Sequence, residues 1–155
     1  MRILGIDPGT SLIGYGVVDI SNTSFKAIDY GPFRTEKNIN NKDRVIHIKK
    51  FFDTLIKKHK PDQIAIETLF FTKNAKTAIK VAEIRGVFLL IAAMNSVPVL
   101  EVTPLQVKQS VAMYGRADKA QIQQAVKLIC NLDEIPKPDD VADALAIAIA
   151  AGSIY

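Results

Sequence analysis

The sequence predicts one mixed α/β domain, residues 1–155, built on a five-stranded mixed sheet flanked by helices. Three observations carry this. The 155 residues are 48% hydrophobic and 23% charged, enough for a sizeable core and unlike a disordered chain. Short apolar runs ending in turn residues alternate with longer segments of helical period. The resulting order is β-β-β-α-β-α-β-α-α-α. Its short early links make an antiparallel meander, and its helical connections set strands one, four and five parallel.

Residues 3–7 form an apolar run that ends at Asp7-Pro8-Gly9, a strand followed by a turn. Residues 15–20 and 25–30 read as strands two and three, joined through Ser21 and Asn22. Residues 40–58 read as a helix: Val45, Ile48, Phe52 and Leu55 recur at three and four and make one buried stripe. His47 and His59 sit among lysines on that helix and read as surface residues without a ligand role. Pro61 stops the helix, and residues 63–67 form the fourth strand.

Residues 75–95 read as a long helix, apolar nearly all round in its second half (Val87 to Ile91), so it requires cover on several sides. Residues 98–102 form the fifth strand. Thr103-Pro104 caps the next helix, which should end near Gly115. Asp118 with Gln121 makes a capping box for another. Pro138 opens the last helix, which ends near Gly152.

The formal net charge of +4 permits an anionic partner without demanding one. The single cysteine, Cys130, excludes an intrachain disulfide, and its apolar neighbours make it a core thiol. Both fit a reducing cytoplasm. The apolar run at the N-terminus is too short for a signal peptide, and the longest apolar run, 87–94, is too short to span a bilayer. A soluble cytoplasmic protein with no membrane partner is expected.

The chemistry lies in the acids. Asp7 ends strand one and Glu67 ends strand four. As parallel neighbours they emerge at the same carboxyl edge, where open α/β sheets place ligands. Asp140 and Asp143 are three apart on the last helix and share a face, whereas Asp139 is turned away by about 100°. Clustered carboxylates repel, so either some protonate or a cation enters. Oxygen ligands without His or Cys favour Mg²⁺ or Mn²⁺. Two such ions about 4 Å apart suit in-line phosphodiester hydrolysis. Other roles exist for each acid alone: an Asp before Pro-Gly forms turns, and Asp139 or Asp140 can cap a helix. Asp143 resists that reading, because an acid amid Ala144, Leu145 and Ile147 costs stability unless something pairs with it.

At these residues the sequence resembles the RuvC family of Holliday junction resolvases, in the RNase H-like superfamily. The resemblance covers nearly the whole chain. It runs through Ile3-Leu4-Gly5-Ile6-Asp7-Pro8-Gly9, Gly14-Tyr15-Gly16-Val17, Ala65-Ile66-Glu67, Phe70, Lys73-Asn74-Ala75, Arg85-Gly86-Val87, Gln106-Val107-Lys108-Gln109 and residues 142–148. It implies an RNase H-like three-layer fold and places the family's four acids on Asp7, Glu67, Asp140 and Asp143. It implies a Mg²⁺-dependent endonuclease, with Mn²⁺ as substitute and two ions per site. Four-way junction DNA would be cut by paired symmetric nicks leaving 5′-phosphate and 3′-hydroxyl ends. It further implies a homodimer with the long helix at its interface, and the RuvA–RuvB branch-migration complex as partner. Several relatives carry a longer basic tail after the last acidic helix; its contribution is expected to be missing here.

The resemblance makes Phe70 a wedge that stacks on an unpaired base at the junction centre. Lys108, Arg116 and Lys119, with Lys73 and Arg85 as further candidates, would hold backbone phosphates. Without the resemblance, the phenylalanines read as core and the lysines as solvated charges. Three other functions share some of these features. A YqgF-type nuclease acting on ribosomal RNA precursors has the same opening but does not fit Ala65-Ile66-Glu67 or the Asp143 helix. An actin-like ATPase needs two domains. A non-catalytic junction-binding protein would bind without metal-dependent cleavage.

Overall fold

The computed structural model describes residues 1–22, 24–36, 38–68 and 75–154, with the side chains of 75–77 excepted. The element order is β1 (Arg2–Asp7), β2 (Leu12–Ser21), β3 (Ser24–Arg34), α1 (Asn41–His59), β4 (Gln63–Glu67), α2 (Ala75–Met94), β5 (Val99–Val102), α3 (Pro104–Ala112), α4 (Lys119–Ile129) and α5 (Asp139–Gly152). The sheet runs β3-β2-β1-β4-β5, with β1 to β3 antiparallel and β1, β4 and β5 parallel. Order, strand directions and the mixed α/β architecture match the expectation.

Strands β2 and β3 outrun their expected bounds. They pair from Leu12↔Arg34 to Ser21↔Ser24, with a register shift at Val17/Val18. The extension takes in Gly31-Pro32, which the edge position of β3 tolerates because one side of an edge strand donates to nothing. Helix α3 stops at Ala112, three residues short of Gly115, because Met113 turns left-handed (φ 54°). Both capping boxes form, Thr103 with Gln106 and Asp118 with Gln121.

Side-chain alternation decides which residues face which layer. In β1, Leu4 and Ile6 join the core under α1 and α2, while Ile3 joins the core under α5. In β4, Ile64 and Ile66 face α1 and α2, while Ala65 faces α5. By the same period of two, Asp7 and Glu67 belong to the α5 side. Helix α5 is buried along nearly its whole length, against β1 and β2 with α3 and α4 packed on it.

Its approach to the sheet depends on absent side chains. A Cβ on Gly5 would lie 2.1 Å from the Ala144 carbonyl oxygen, and one on Gly14 would lie 1.8 Å from that of Asp140. These glycines sit on neighbouring strands, and Gly14 pairs with Asp7 itself. The N-terminal turn of α5 therefore rests almost backbone to backbone on the ends of β1 and β2.

One expectation fails on the other layer. His59 is buried, 7% exposed, and its Nε2 lies 2.7 Å from Asp29 Oδ2. It is four residues past Leu55, on the stripe that the period defined, so position outweighed its lysine neighbours. His47 is exposed as expected. Helix α2 is covered on one side only. Ile84, Phe88, Ile91 and Ala92 are buried, while Ile79, Leu90 and Met94 are more than half exposed. Cys130 is buried, and its thiol is pushed up to about 11 by that burial. Among the described residues no helix is long and apolar enough to cross a membrane.

Candidate active site

The parallel register Ile6↔Ile66 sets Asp7 beside Glu67 at the carboxyl edge. Asp7, Glu67 and Asp143 line one groove of about 260 Å³, together with Lys108, Lys119 and Asp118. Residues from both ends of the chain thus share one concavity. Asp140 stands at the rim, half-buried in the first turn of α5 and outside the groove lining.

Electrostatics tie the four acids together. Burial first, and then Asp143, Asp140 and Glu67, together push the Asp7 carboxyl up to about 7, against a smaller opposing pull from Lys119. Glu67 is raised by burial and by Asp143, with Lys108 opposing. Asp143 is raised chiefly by burial, although Lys119 beside it acts the other way. A carboxyl near 7 at a half-buried strand end means that negative charge is confined there without matching positive charge.

Lys119 was expected on the DNA backbone, and the structure sets it among the acids. Its ammonium lies 3.2 Å from Asp143 Oδ2 and 3.3 Å from Asp139 Oδ2. Asp139, expected to turn away, comes within reach because it is one helical turn before Asp143. In the sequence Lys119 is only the first residue of a capped helix; its proximity to α5 comes from how α4 packs on α5. Lys108, on α3, reaches the Glu67 side of the same groove. Arg116 is exposed in the α3–α4 connection, outside the groove lining but next to Ala117 and Asp118, which belong to it. Arg85 is paired with Glu101, Nη2 to Oε2 2.6 Å, and lies outside the groove lining. Phe70 and Lys73 lie outside the described residues.

The donor set fits a hard divalent cation by its chemistry: carboxylate oxygens, no His, no Cys, and repulsion that positive charge would relieve. As placed, no three His, Cys, Asp or Glu side chains among the described residues are grouped to hold one ion. Ligation would therefore require the carboxylates to close in, and Asp143 to exchange the Lys119 ammonium for the ion.

Comparison with known proteins agrees with this geometry. The family model described as crossover junction endodeoxyribonuclease RuvC matches residues 3–151. A protein of that name from Clostridioides difficile is 54% identical over 149 residues, spanning 96% of this chain and 88% of the relative. One from Caldanaerobacter subterraneus is 52% identical over 149 residues, spanning 96% and 90%. The solved structure of Thermus thermophilus RuvC superposes with a TM-score of 0.91 at 33% identity, covering 99% of this chain and 95% of that one. The same protein in complex with Holliday junction substrate gives a TM-score of 0.90. With half of its residues shared along almost its full length, and acids from two strands and a helix gathered at one groove on the expected fold, this chain belongs to the RuvC family of crossover junction endodeoxyribonucleases.

Proposed function

We propose that the chain resolves four-way DNA junctions in recombination and repair by hydrolysing phosphodiester bonds at the Asp7–Glu67–Asp140–Asp143 site. The observation that carries this reading is the gathering of Asp7, Glu67 and Asp143 in one groove, where burial and the neighbouring acids push the Asp7 carboxyl up to about 7, a concentration of negative charge with a use only when a cation and a phosphate enter. The family name and the likeness to a junction-bound relative support the substrate.

Asp7, Glu67 and Asp143 would hold the cation, with Asp140 completing the set from the first turn of α5. Mg²⁺ is the expected ion, Mn²⁺ its substitute, two per site. A bound divalent ion supplies Lewis acidity toward the phosphate and the attacking water. The protein does the rest. Glu67 and Asp7 fix the position from two strands that cannot slide, because both are paired within the sheet. Lys108 faces Glu67 and would take an oxygen of the bound phosphate. Lys119, released from Asp143, would pair with the next phosphate along the strand. Arg116 and Lys73 would extend this backbone contact, and Phe70 would stack on a base at the junction centre.

Paired nicks in opposed strands require two sites, hence a homodimer. The uncovered Leu90 and Met94 in the second half of α2 supply an apolar face for it. Partnership with RuvA–RuvB and a cytoplasmic location follow from the family and belong to the same proposal.

The test is a labelled mobile four-way junction incubated with and without Mg²⁺. Symmetric paired nicks that require the ion, with ends that ligase reseals, are expected. Binding without cleavage under every metal condition would leave a junction-binding protein instead. Cleavage of a ribosomal RNA precursor but not of the junction would favour the YqgF-type alternative.

A further inference from the structure

On the opposite face of the sheet from the acids lies a second groove, of about 430 Å³, between the start of α1 and the exposed flank of α2. It is lined by Thr10, Asn41, Arg44, Ile79, Lys80 and Glu83 among others. Thr10 belongs to the loop that leaves Asp7 for β2, so one lining residue of each groove lies on this short stretch of chain. Two residues, Pro8 and Gly9, separate Thr10 from Asp7, a reach of about 11 Å at most.

The cations of this groove are underused. Among the described residues Arg44 hydrogen-bonds only to Asn41 Oδ1 and the Ile39 carbonyl oxygen, both at 3.4 Å, and its buried Nε has no acceptor there. An unsatisfied guanidinium donor is costly, and an acceptor oxygen on an anion would remove that cost. Lys80 is exposed, and among the described residues neither it nor Arg44 is paired with a carboxylate. Glu83 is the one acid of the lining, leaving the groove a net single positive charge. The start of the 19-residue helix α1 also faces it through Asn41, adding the positive end of the helix dipole to the two cations.

We propose that Arg44 and Lys80 form a second phosphate subsite, which takes a backbone phosphate of the junction a few nucleotides from the scissile one. The strand would pass over the loop 8–11 from one groove to the other. The subsite rests on the reading of this chain as a junction resolvase. Its task is to set the register of the strand, as phosphate contacts do, and it carries no base preference. Arg44 and Lys80 are positioning residues here, with no part in the bond cleavage.

The experiment measures junction affinity in EDTA across a series of salt concentrations, for the wild type, Lys80→Gln, Arg44→Lys and the Arg44→Gln/Lys80→Gln double variant. The oligomeric mass of each is checked by light scattering. Affinity of the double variant should fall about ten-fold at moderate salt. The slope of log K against log salt should become shallower by about 0.9, because one phosphate is no longer neutralised. Lys80→Gln, at an exposed position that cannot affect folding much, should show part of the loss, and Arg44→Lys should retain most of the affinity. The loss should be equal on junctions of different sequence. An unchanged slope in the double variant would overturn the subsite, as would a loss of affinity that tracks a change in oligomeric mass. A wild-type protein that binds no junction would instead sink the resolvase reading itself.

Discussion

The two ends of this sheet treat carboxylates in opposite ways. At the amino end of β1, Asp19 receives two hydrogen bonds from the Arg2 guanidinium, at 2.6 and 2.8 Å, and these hold it below the usual range. On the α1 face, burial pushes Asp29 up, but Lys58 at 2.9 Å and His59 at 2.7 Å more than reverse this, so it too ends low. Asp53 follows the same pattern through Lys49 and Asn95. At the carboxyl edge, Asp7, Glu67 and Asp143 are all raised, by burial and by neighbouring acids. The first group is structural: each acid has a donor, and the fold is more stable for it. The second group opposes the fold, and lysines relieve it only in part. A protein that tolerates such a cluster uses it, and the use that chemistry offers is a cation.

Substitution should set the two groups furthest apart in activity. Asp7→Asn, Glu67→Gln or Asp143→Asn should each lower junction nicking in Mg²⁺ by about 1,000-fold, the scale of a missing metal ligand or transition-state interaction. Junction affinity in EDTA should survive. Asp140→Asn belongs to the same group. Asp29→Asn should leave nicking within about two-fold, measured on the same labelled junction.

A pH profile gives the next largest contrast. With its carboxyl near 7, Asp7 is protonated below that value and cannot bind a cation. Nicking at limiting Mg²⁺ should therefore fall about ten-fold per unit as pH drops below 7. Raising Mg²⁺ should move the fall to lower pH, because ion and proton compete for the same oxygens. A profile that does not move with Mg²⁺ would assign the titration elsewhere.

Stability should separate the two groups by sign. In the unfolded chain Asp7 titrates near 3.9, and in the fold near 7. Between these values the fold keeps a proton that the unfolded chain has released, so this acid's contribution falls as pH rises and is most adverse above 7. Asp7→Asn should raise Tm in metal-free buffer at pH 8 by roughly 4–8 °C, for about 2 kcal/mol. The gain should shrink towards pH 4. Asp29→Asn should lower Tm by roughly 2–8 °C, for about 1–2 kcal/mol, because it weakens the acceptor of a buried histidine. Thermal melts with both variants decide this. The smallest effect belongs to the half-exposed Lys49–Asp53 pair, where Lys49→Ala should cost about 0.5 kcal/mol or less.

Much of this was legible from local pattern. Their places at the ends of β1 and β4 put Asp7 and Glu67 at a common edge, and Thr103 before Pro104 and Asp118 with Gln121 announced their helices. What escaped is non-local. Lys119 meets Asp139 and Asp143 because α4 lies along α5, and no spacing within either helix encodes that. The close seat of α5 depends on Gly5 and Gly14 lying on neighbouring strands, which the motif contains but which only strand register makes meaningful. His59 is different, since its place on the α1 stripe was readable and residue type was given too much weight against position.

The most direct test is Mn²⁺ binding to the DNA-free protein at pH 8, followed by electron paramagnetic resonance, in the wild type and in Asp7→Asn, Glu67→Gln and Asp143→Asn. The wild type should bind the ion, and each substitution should weaken it by at least ten-fold, since ligands from two strands and a helix act on one ion. Equal Mn²⁺ affinity in all four proteins would contradict the account, because acids that do not share an ion cannot form the site.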